Sequence, residues 1–451
     1  MKLLLWLVVC GFSVLHIKSA LAEDGVLVVE YGETFESGSD IHMRYYLVNP
    51  EGNHRLLFSD EFMAQNPVHL WSGKRVRVQF KDQPGESGRW TQSIELLEGA
   101  QRGGITGAQP WVSILCKFND VPAEPENFSF FQNMYANLPA GLDHYWREVS
   151  YENINVVGSL AVDWVDLPGT HTFYVPTPGS GTDANLNSLF DDCTDAADPF
   201  VDFSSGFVGI NMMFNELLDC CAWGGGLGAT LDGLFRSWRV TWNPPWSFAN
   251  EGVIAHEMGH GFGLPHANNS DGDGNPYDSP WDVMSSATGR AVDDPVYGRL
   301  GKHINMQYKY RLGWVNDGDG FIADALTDTV IVIDQTALAA TINHRFARLP
   351  LADGSHYMVE VRKQVGNYES NLAGEAVIIH HVVSGRSEPP WVIDQDVPPA
   401  DFSDNEGVMW KVGETFNDPI DGYTVEVLSE TTDGFEVRIT GSDLIFADGF
   451  N

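Results

Sequence analysis

Three histidines and one glutamate lie close together in the sequence, at spacings that suit a metal-dependent hydrolase. His256 and His260 are four residues apart, and on an α-helix this spacing puts both imidazoles on one face, one turn apart. Two imidazoles so placed can bind one tetrahedral zinc ion. Glu257 directly follows the first histidine. Its carboxylate is therefore expected beside the metal, where it would take a proton from a zinc-bound water.

The residues after His260 supply a third ligand. Gly263 lets the backbone leave the helix in a conformation that a side chain would resist, and the chain then presents His266. Three protein ligands leave the fourth position of a zinc ion open, which is typical of catalytic zinc. Five specified residues at these spacings occur by chance in about one chain in ten thousand or fewer. The pattern therefore favours a catalytic zinc site with Glu257 as the base.

The segment from His256 to His266 matches HExxHxxGxxH, and the chain thereby resembles the metzincin zinc metalloproteases. In that family a turn with a methionine forms an apolar floor beneath the metal. Residues 282–286 fit this turn, and the resemblance assigns the role to Met284. Astacins and serralysins carry a tyrosine ligand two residues later, where this chain has Ser286. No tyrosine switch is therefore expected, and the reaction implied is hydrolysis of peptide bonds.

Other stretches are similar to secreted peptidases of the gametolysin and immune-inhibitor-A type. They are residues 148–151, 308–314, 357–362 and 413–416. Gametolysin-like precursors can be kept latent by a propeptide cysteine on the zinc. No cysteine occurs between residues 23 and 115, so we expect that any latency does not use a thiolate.

The elements that must position these residues fall into three regions. Short β-rich runs over residues 23–108 predict a small barrel or sandwich, which could be a propeptide. Mixed patterns over residues 109–316, with the resemblance, predict an α/β (α+β) metzincin catalytic domain. Further β-rich runs over residues 317–441 predict a C-terminal β-sandwich-like domain. Residues 442–451 form a tail whose role the sequence leaves open.

Local patterns in the catalytic region predict particular elements. Helices are predicted at residues 139–149, with a proline in the first turn, at 251–261 and at about 302–312. The glycines of residues 224–228 predict a flexible surface loop. The strand predicted at residues 238–242 leads into the zinc helix, and it is a candidate to bind the substrate backbone as an added strand.

The N-terminus and the composition indicate an exported protein. Lys2 precedes an apolar run and then Ala20-Leu21-Ala22, so residues 1–22 are predicted to be a signal peptide and the protein to be extracellular. Asp and Glu total 62 against 26 Lys and Arg, a net charge of −36. Such a surface repels phosphate backbones, so nucleic acid is not an expected partner. The expected partners are protein or peptide substrates; no membrane span is expected, and the oligomeric state is open.

The four cysteines outside the predicted signal peptide suggest up to two disulfides. A bridge from Cys193 to Cys220 or Cys221 is the preferred pairing, because adjacent cysteines rarely bond each other. Cys116 lies in an apolar run and could equally be a buried free thiol.

An acidic loop after His266 gives a weaker metal signal. Asp271, Asp273 and Asn275 resemble the start of a calcium loop, but Pro276 stands where an EF-hand needs glycine. A polar connecting loop is therefore the favoured interpretation, with calcium as a second cofactor only if this loop binds it.

The sequence thus predicts a secreted endopeptidase with one zinc per chain, bound by His256, His260 and His266. The alternative is a catalytically inactive adhesin that retains zinc and binds its partners through the two β regions.

Overall fold

The computed structural model describes residues 22–34, 42–85, 87–97, 104–272, 275–395 and 405–441. The predicted C-terminal tail and all of the predicted signal peptide except Ala22 lie outside the described residues. Within those ranges, no helix is both long enough and apolar enough to cross a membrane.

Five strands near the N-terminus close into a small barrel around an apolar interior. The elements are β1 (Ala22–Glu33), β2 (His42–Asn49), β3 (Gly52–Leu57), helix α1 (Asp60–Gln65), β4 (Arg75–Pro84) and β5 (Arg89–Leu96). The strand order is β2-β3-β5-β4-β1, and β1 also pairs with β2. This second pairing closes the barrel, which we call the N-terminal barrel. Its buried apolar residues include Leu27, Leu47 and Val78.

The middle of the chain alternates strands with helices. Its strands are β6 (Gly107–Ala108), β7 (Trp111–Lys117), β8 (Ile154–Asn155), β9 (Leu160–Asp166), β10 (Gly209–Phe214), β11 (Ala222–Leu231), β12 (Leu234–Asn243), β13 (Asn268–Asn269), β14 (Asp293–Asp294) and β15 (Gly298–Arg299). Its helices are α2 (Phe128–Asn133), α3 (Leu142–Val149), α4 (His171–Tyr174), α5 (Leu186–Ala197), α6 (Pro245–Phe248), α7 (Glu251–Gly261) and α8 (Met306–Arg311). Short 3₁₀ turns lie at Val68–Trp71, Asp198–Phe200, Phe203–Ser205 and Asp317–Asp319.

One ten-stranded sheet joins the N-terminal barrel to the middle region, in the order β2-β3-β5-β4-β1-β11-β12-β10-β7-β9. Strand β1 is the junction, since its first residues pair with β4 and residues 31–33 pair antiparallel with β11. Strand β12 lies between β11 and β10, so neighbours occupy both of its edges. The expectation that residues 238–242 bind substrate as an added strand is therefore wrong.

The C-terminal region forms two sheets that pack on one apolar core. Its strands are β16 (Gly320–Ile322), β17 (Asp328–Asp334), β18 (Phe346–Pro350), β19 (His356–Arg362), β20 (Ala376–Val382), β21 (Pro390–Val392), β22 (Thr415–Asn417), β23 (Thr424–Glu430) and β24 (Gly434–Thr440). The sheet orders are β13-β21-β20-β19-β18-β16 and β17-β24-β23-β22. Val359 and Ile379 of the first sheet share a buried cluster with Val425 and Val437 of the second. Because β13 belongs to the middle region, this sheet also links the two regions.

The helix over residues 251–261 is confirmed, but the two other predicted helices are shorter than expected. Helix α3 begins at Leu142, because Ala140 has a φ of 73° and Gly141 occupies the extended N-cap position. Pro139 consequently lies ahead of the helix and not in its first turn. Helix α8 begins at Met306, because Asn305 caps it with a side chain that accepts a hydrogen bond from the backbone N–H of Tyr308.

The glycine-rich residues 224–228 form part of β11, and the predicted surface loop is wrong. Gly225 has a φ of 150°, and a Cβ there would lie 2.3 Å from the carbonyl oxygen of Val29 in β1. The glycines are needed for close approach between strands, a tertiary requirement that turn propensity does not reveal.

The disulfides also differ from the preferred pairing. Cys116 in β7 is bonded to Cys193 in α5, with their Cα atoms 5.8 Å apart, and Cys220 is bonded to Cys221. Helix α5 packs against β7 in a shared apolar cluster, which brings the first pair into reach.

Candidate metal centre

Helix α7 carries the first two histidines on a fully enclosed part of the chain. His256 and His260 are 0% and 1% exposed, and the residues between them are buried as well. The helix packs closely on the predicted methionine turn, because a Cβ at Gly259 would lie 2.4 Å from the sulfur of Met284. Since the helix is buried on all sides, its polar histidines need partners inside the protein.

The turn after α7 brings the third histidine back to the first two. Gly263 has a φ of 89°, the left-handed conformation that glycine adopts most readily. This reversal places the carbonyl of Leu264 2.7 Å from Nδ1 of His260. The chain then delivers His266, 1% exposed, to the same place. The role predicted for Gly263 is confirmed.

Backbone carbonyls orient two of the imidazoles. Nδ1 of His256 lies 2.6 Å from the carbonyl oxygen of Val283, and Nδ1 of His260 is held in the same way by Leu264. Because Nδ1 donates in each contact, Nε2 carries the free lone pair, as in metal-binding histidines. The two Nε2 atoms are 3.0 Å apart. Roughly 3.3 Å is expected between two ligands of a tetrahedral ion with bonds of about 2.0–2.1 Å.

A buried glutamate from the N-terminal barrel completes the cluster. The carboxylate of Glu33, the last residue of β1, lies 3.0 Å from Nε2 of His256, 2.6 Å from Nε2 of His260 and 2.9 Å from Nε2 of His266. Among the described residues these histidines are its ion-pair partners, with no lysine or arginine beside them. No local sequence pattern predicts this contact, because Glu33 and His266 are 233 residues apart.

These four residues, which we call the metal cluster, form a group that could hold a metal ion. One ligand atom from each lies within 4.8 Å of every other. Burial lowers the pKa of His266 to about 4 and also lowers the pKa of His260, which favours the neutral, metal-binding form of these two side chains. Burial opposes ionisation of Glu33, but His256 and His260 hold the pKa of its carboxyl well below the usual range.

Glu257 lies beside the metal cluster and faces strand β11. Its side chain is fully buried, and neither carboxylate oxygen has a hydrogen-bond partner among the described residues. Burial, together with the nearby Glu33 carboxylate, raises its pKa well above the ordinary value. A Cβ at Gly224 would lie 2.6 Å from Oε2 of Glu257, so glycine at that position makes room for the carboxylate. An orphaned acid next to a group of metal ligands fits a general base.

Three further residues complete the surroundings. Met284 is fully buried under α7, as the predicted floor requires. Ser286 accepts a hydrogen bond from the N–H of Gly289 and makes no described contact with the histidines. Tyr277, which sequence reasoning missed, packs its ring edge-on to His266 with ring centres 5.3 Å apart. No residue type or spacing in that loop signals this contact.

The described residues of the acidic loop after His266 do not join the cluster. Asn275 accepts a hydrogen bond from the N–H of Tyr277, and Asp271 donates its N–H to the side chain of Asn269. Asp273 lies outside the described residues. Within the described part of the chain, Asp271 belongs to neither of the groups of His, Cys, Asp and Glu close enough to share an ion. The calcium site stays a prediction.

No family model matches the chain, and no curated protein is significantly similar to it. Among solved structures, the crystal structure of wild type OgpA from Akkermansia muciniphila is similar, with a TM-score of 0.28 and 12% sequence identity over 76% of this chain and 95% of that chain. A TM-score this low supports no inference about fold or function.

Proposed function

We propose that the protein is a secreted zinc endopeptidase of the metzincin type. The observation that carries the proposal is the convergence of three imidazole Nε2 atoms beside the unpartnered carboxylate of Glu257. Imidazole nitrogens with one carboxylate are ligands that zinc accepts. The methionine turn under α7 and the HExxHxxGxxH spacing support the metzincin assignment, and the apolar run at the N-terminus supports secretion.

Different residues of the chain have different roles in peptide hydrolysis. A zinc ion in such a site polarises the scissile carbonyl and lowers the pKa of water. The histidines would hold the ion, and the carbonyls of Val283 and Leu264 hold two of them in the required tautomer. Glu257 takes the proton of the attacking water and later donates it to the leaving amine.

The experiment compares the wild-type chain with Glu257→Gln. Both proteins are loaded with zinc and assayed on denatured casein, intact and after cutting at a recognition site inserted between Leu97 and Gly104. Glu257→Gln should keep its zinc and lose about a hundredfold to ten-thousandfold in rate, the usual contribution of a placed proton-transfer group. Full activity of Glu257→Gln would contradict the mechanism, and a chelator should abolish activity of the wild type.

One observation favours the second candidate, a binding protein with a non-catalytic metal. Four protein ligands around one ion are typical of structural sites, and Glu33 supplies a fourth. If neither the intact nor the cut protein cleaves casein or a peptide library, this candidate replaces the peptidase.

A further inference from the structure

The end of strand β1 lies across the metal cluster as an extended peptide would. Tyr31, Gly32 and Glu33 pair antiparallel with Gly224, Trp223 and Ala222 of β11. The strand that β1 contacts here is the one whose glycine packs on Glu257. Residues 31–33 therefore lie along β11, next to both the metal ligands and the general base.

Side chains of these residues also fill the space in front of the histidines. The ring of Tyr31 stacks on His260, with ring centres 4.1 Å apart and planes 12° apart, and meets His266 edge-on at 5.3 Å. Tyr31 and Glu33 are themselves 1% and 0% exposed. A peptide substrate has no room beside the histidines while β1 stays in this position.

Contacts outside the metal cluster hold the N-terminal barrel in place. Arg311 donates from Nη2 to the carbonyl of Leu70, at 2.5 Å, and to that of Gly263, at 3.3 Å. The side chain of Asn53 donates to the carbonyl of Gly228 and accepts from its N–H, both at 2.9 Å. These bonds tie the barrel to the turn after α7 and to β11, so the closed arrangement is specific.

We propose that the N-terminal barrel is an intramolecular inhibitor of the peptidase, with Glu33 as the ligand that closes the metal site. This inference rests on the proposed function. Withdrawal of residues 31–33 frees the fourth ligand position and the edge of β11 together. An extended substrate peptide then takes the place of residues 31–33 along β11. This region contains no cysteine, so a thiolate from it cannot block the metal site. The carboxylate of Glu33 blocks the site instead.

The test uses Co²⁺ in place of zinc, with its visible absorption as the readout and acetohydroxamate as a small probe of the fourth position. The proteins are intact wild type, intact Glu33→Ala, and wild type cut at a recognition site inserted between Leu97 and Gly104. The matched control is Glu30→Gln, which alters a buried glutamate of the same strand whose charged neighbours are Arg44 and Arg55. Glu33→Gln, which keeps the side-chain volume, replaces the alanine variant if that protein does not fold.

Acetohydroxamate should change the cobalt spectrum of Glu33→Ala and of the cut protein. Intact wild type and Glu30→Gln should respond only at concentrations about a hundredfold higher, the ratio expected if the open state is about 1% populated. Equal affinity of intact wild type and Glu33→Ala for the probe would overturn the inference.

Peptide cleavage measured on the same samples separates this inference from the proposed function. A spectrum that responds in Glu33→Ala and in the cut protein but not in the intact wild type, with no cleavage by any sample, supports Glu33 as the ligand that closes the site and overturns the peptidase. Equal cleavage rates before and after cutting support the peptidase and overturn the inhibitor.

Discussion

Two buried clusters of histidines and acids lie in this molecule, and they differ in the source of the positive charge that balances their carboxylates. The metal cluster holds three histidines and Glu33. The second, which we call the arginine cluster, is formed by Glu360, Arg362, Glu369 and His380, all fully buried. In it, Arg362 pairs with both carboxylates, and Glu360 also lies 3.0 Å from Nε2 of His380.

The difference between the clusters identifies their roles. Buried carboxylates are stable when a cation and hydrogen bonds accompany them. The arginine cluster has its own guanidinium and several backbone contacts, since Met306 donates its N–H to Glu360 and Arg362 donates to the carbonyls of Trp281 and His303. The metal cluster has ligand atoms and no permanent cation among the described residues. We infer that the arginine cluster holds the C-terminal sheet to the methionine turn, whereas the metal cluster requires an ion from solution.

The largest effect on stability is expected from removing the guanidinium of the arginine cluster. Arg362→Met leaves two buried carboxylates without their guanidinium cation and should lower the free energy of unfolding by about 3–5 kcal/mol, measured by urea denaturation. The matched control is Arg438→Met, because the Arg438–Asp328 pair is 48% and 43% exposed and should contribute less than about 1 kcal/mol. Similar losses in both variants would contradict the assigned role of the arginine cluster.

A somewhat smaller effect on stability is expected from adding zinc to the metal cluster. Zinc at a hundred times its dissociation constant should stabilise the wild type by about 2.7 kcal/mol, because the folded state alone presents the assembled ligands. His260→Ala should lose this stabilisation. His380→Ala, which alters the other cluster, should be less stable yet respond to zinc as the wild type does. Thermal unfolding of each variant with and without zinc measures its stability and its stabilisation by zinc. An undiminished stabilisation of His260→Ala by zinc would refute the ligand assignment.

The arginine cluster also predicts a loss of stability in acid. Burial opposes ionisation of Glu360, but Arg362 and His380 lower its pKa to about 2, against an ordinary value of 4.5. Because the folded-state pKa is the lower one, this contribution is complete above about pH 4.5 and disappears as the pH falls toward 2. Urea midpoints measured with a chelator present should fall over that range. The fall should be shallower in Glu360→Gln, and an unchanged slope would count against this pairing.

The smallest effect on stability is expected from a substitution of Met284, which lies beneath the metal cluster. Met284 is fully buried and packs on Gly259 without ligating. A swap of similar volume such as Met284→Leu should cost less than about 1.5 kcal/mol and leave zinc binding intact. Loss of zinc in this variant would show that the sulfur does more than pack.

Local patterns account for the part of the site that the sequence predicted. Helical spacing places His256 and His260 together, and the positive φ of Gly263 brings the chain back toward them. These relations span eleven residues and depend on helix geometry alone. Helix α7 consequently has its predicted bounds.

The contribution of Glu33 could not be predicted, because it depends on which strands pair. Strands β1 and β11 are nearly two hundred residues apart in the sequence, and no local sequence pattern in either strand predicts that they pair. The same pairing explains why residues 224–228 were predicted to be a loop. Their glycines permit close contact with β1 and Glu257, whereas glycine in isolation indicates a turn.

X-ray absorption at the zinc edge tests whether His256, His260, His266 and Glu33 bind one zinc ion in the intact chain. We expect one zinc per chain, with three imidazole nitrogens at about 2.0–2.1 Å and a carboxylate oxygen at about 2.0–2.2 Å. Glu33→Ala should retain the imidazole signal and lose the carboxylate. A purified chain without zinc after zinc loading, or with a spectrum that lacks histidine scattering, would show that these residues do not form a zinc site.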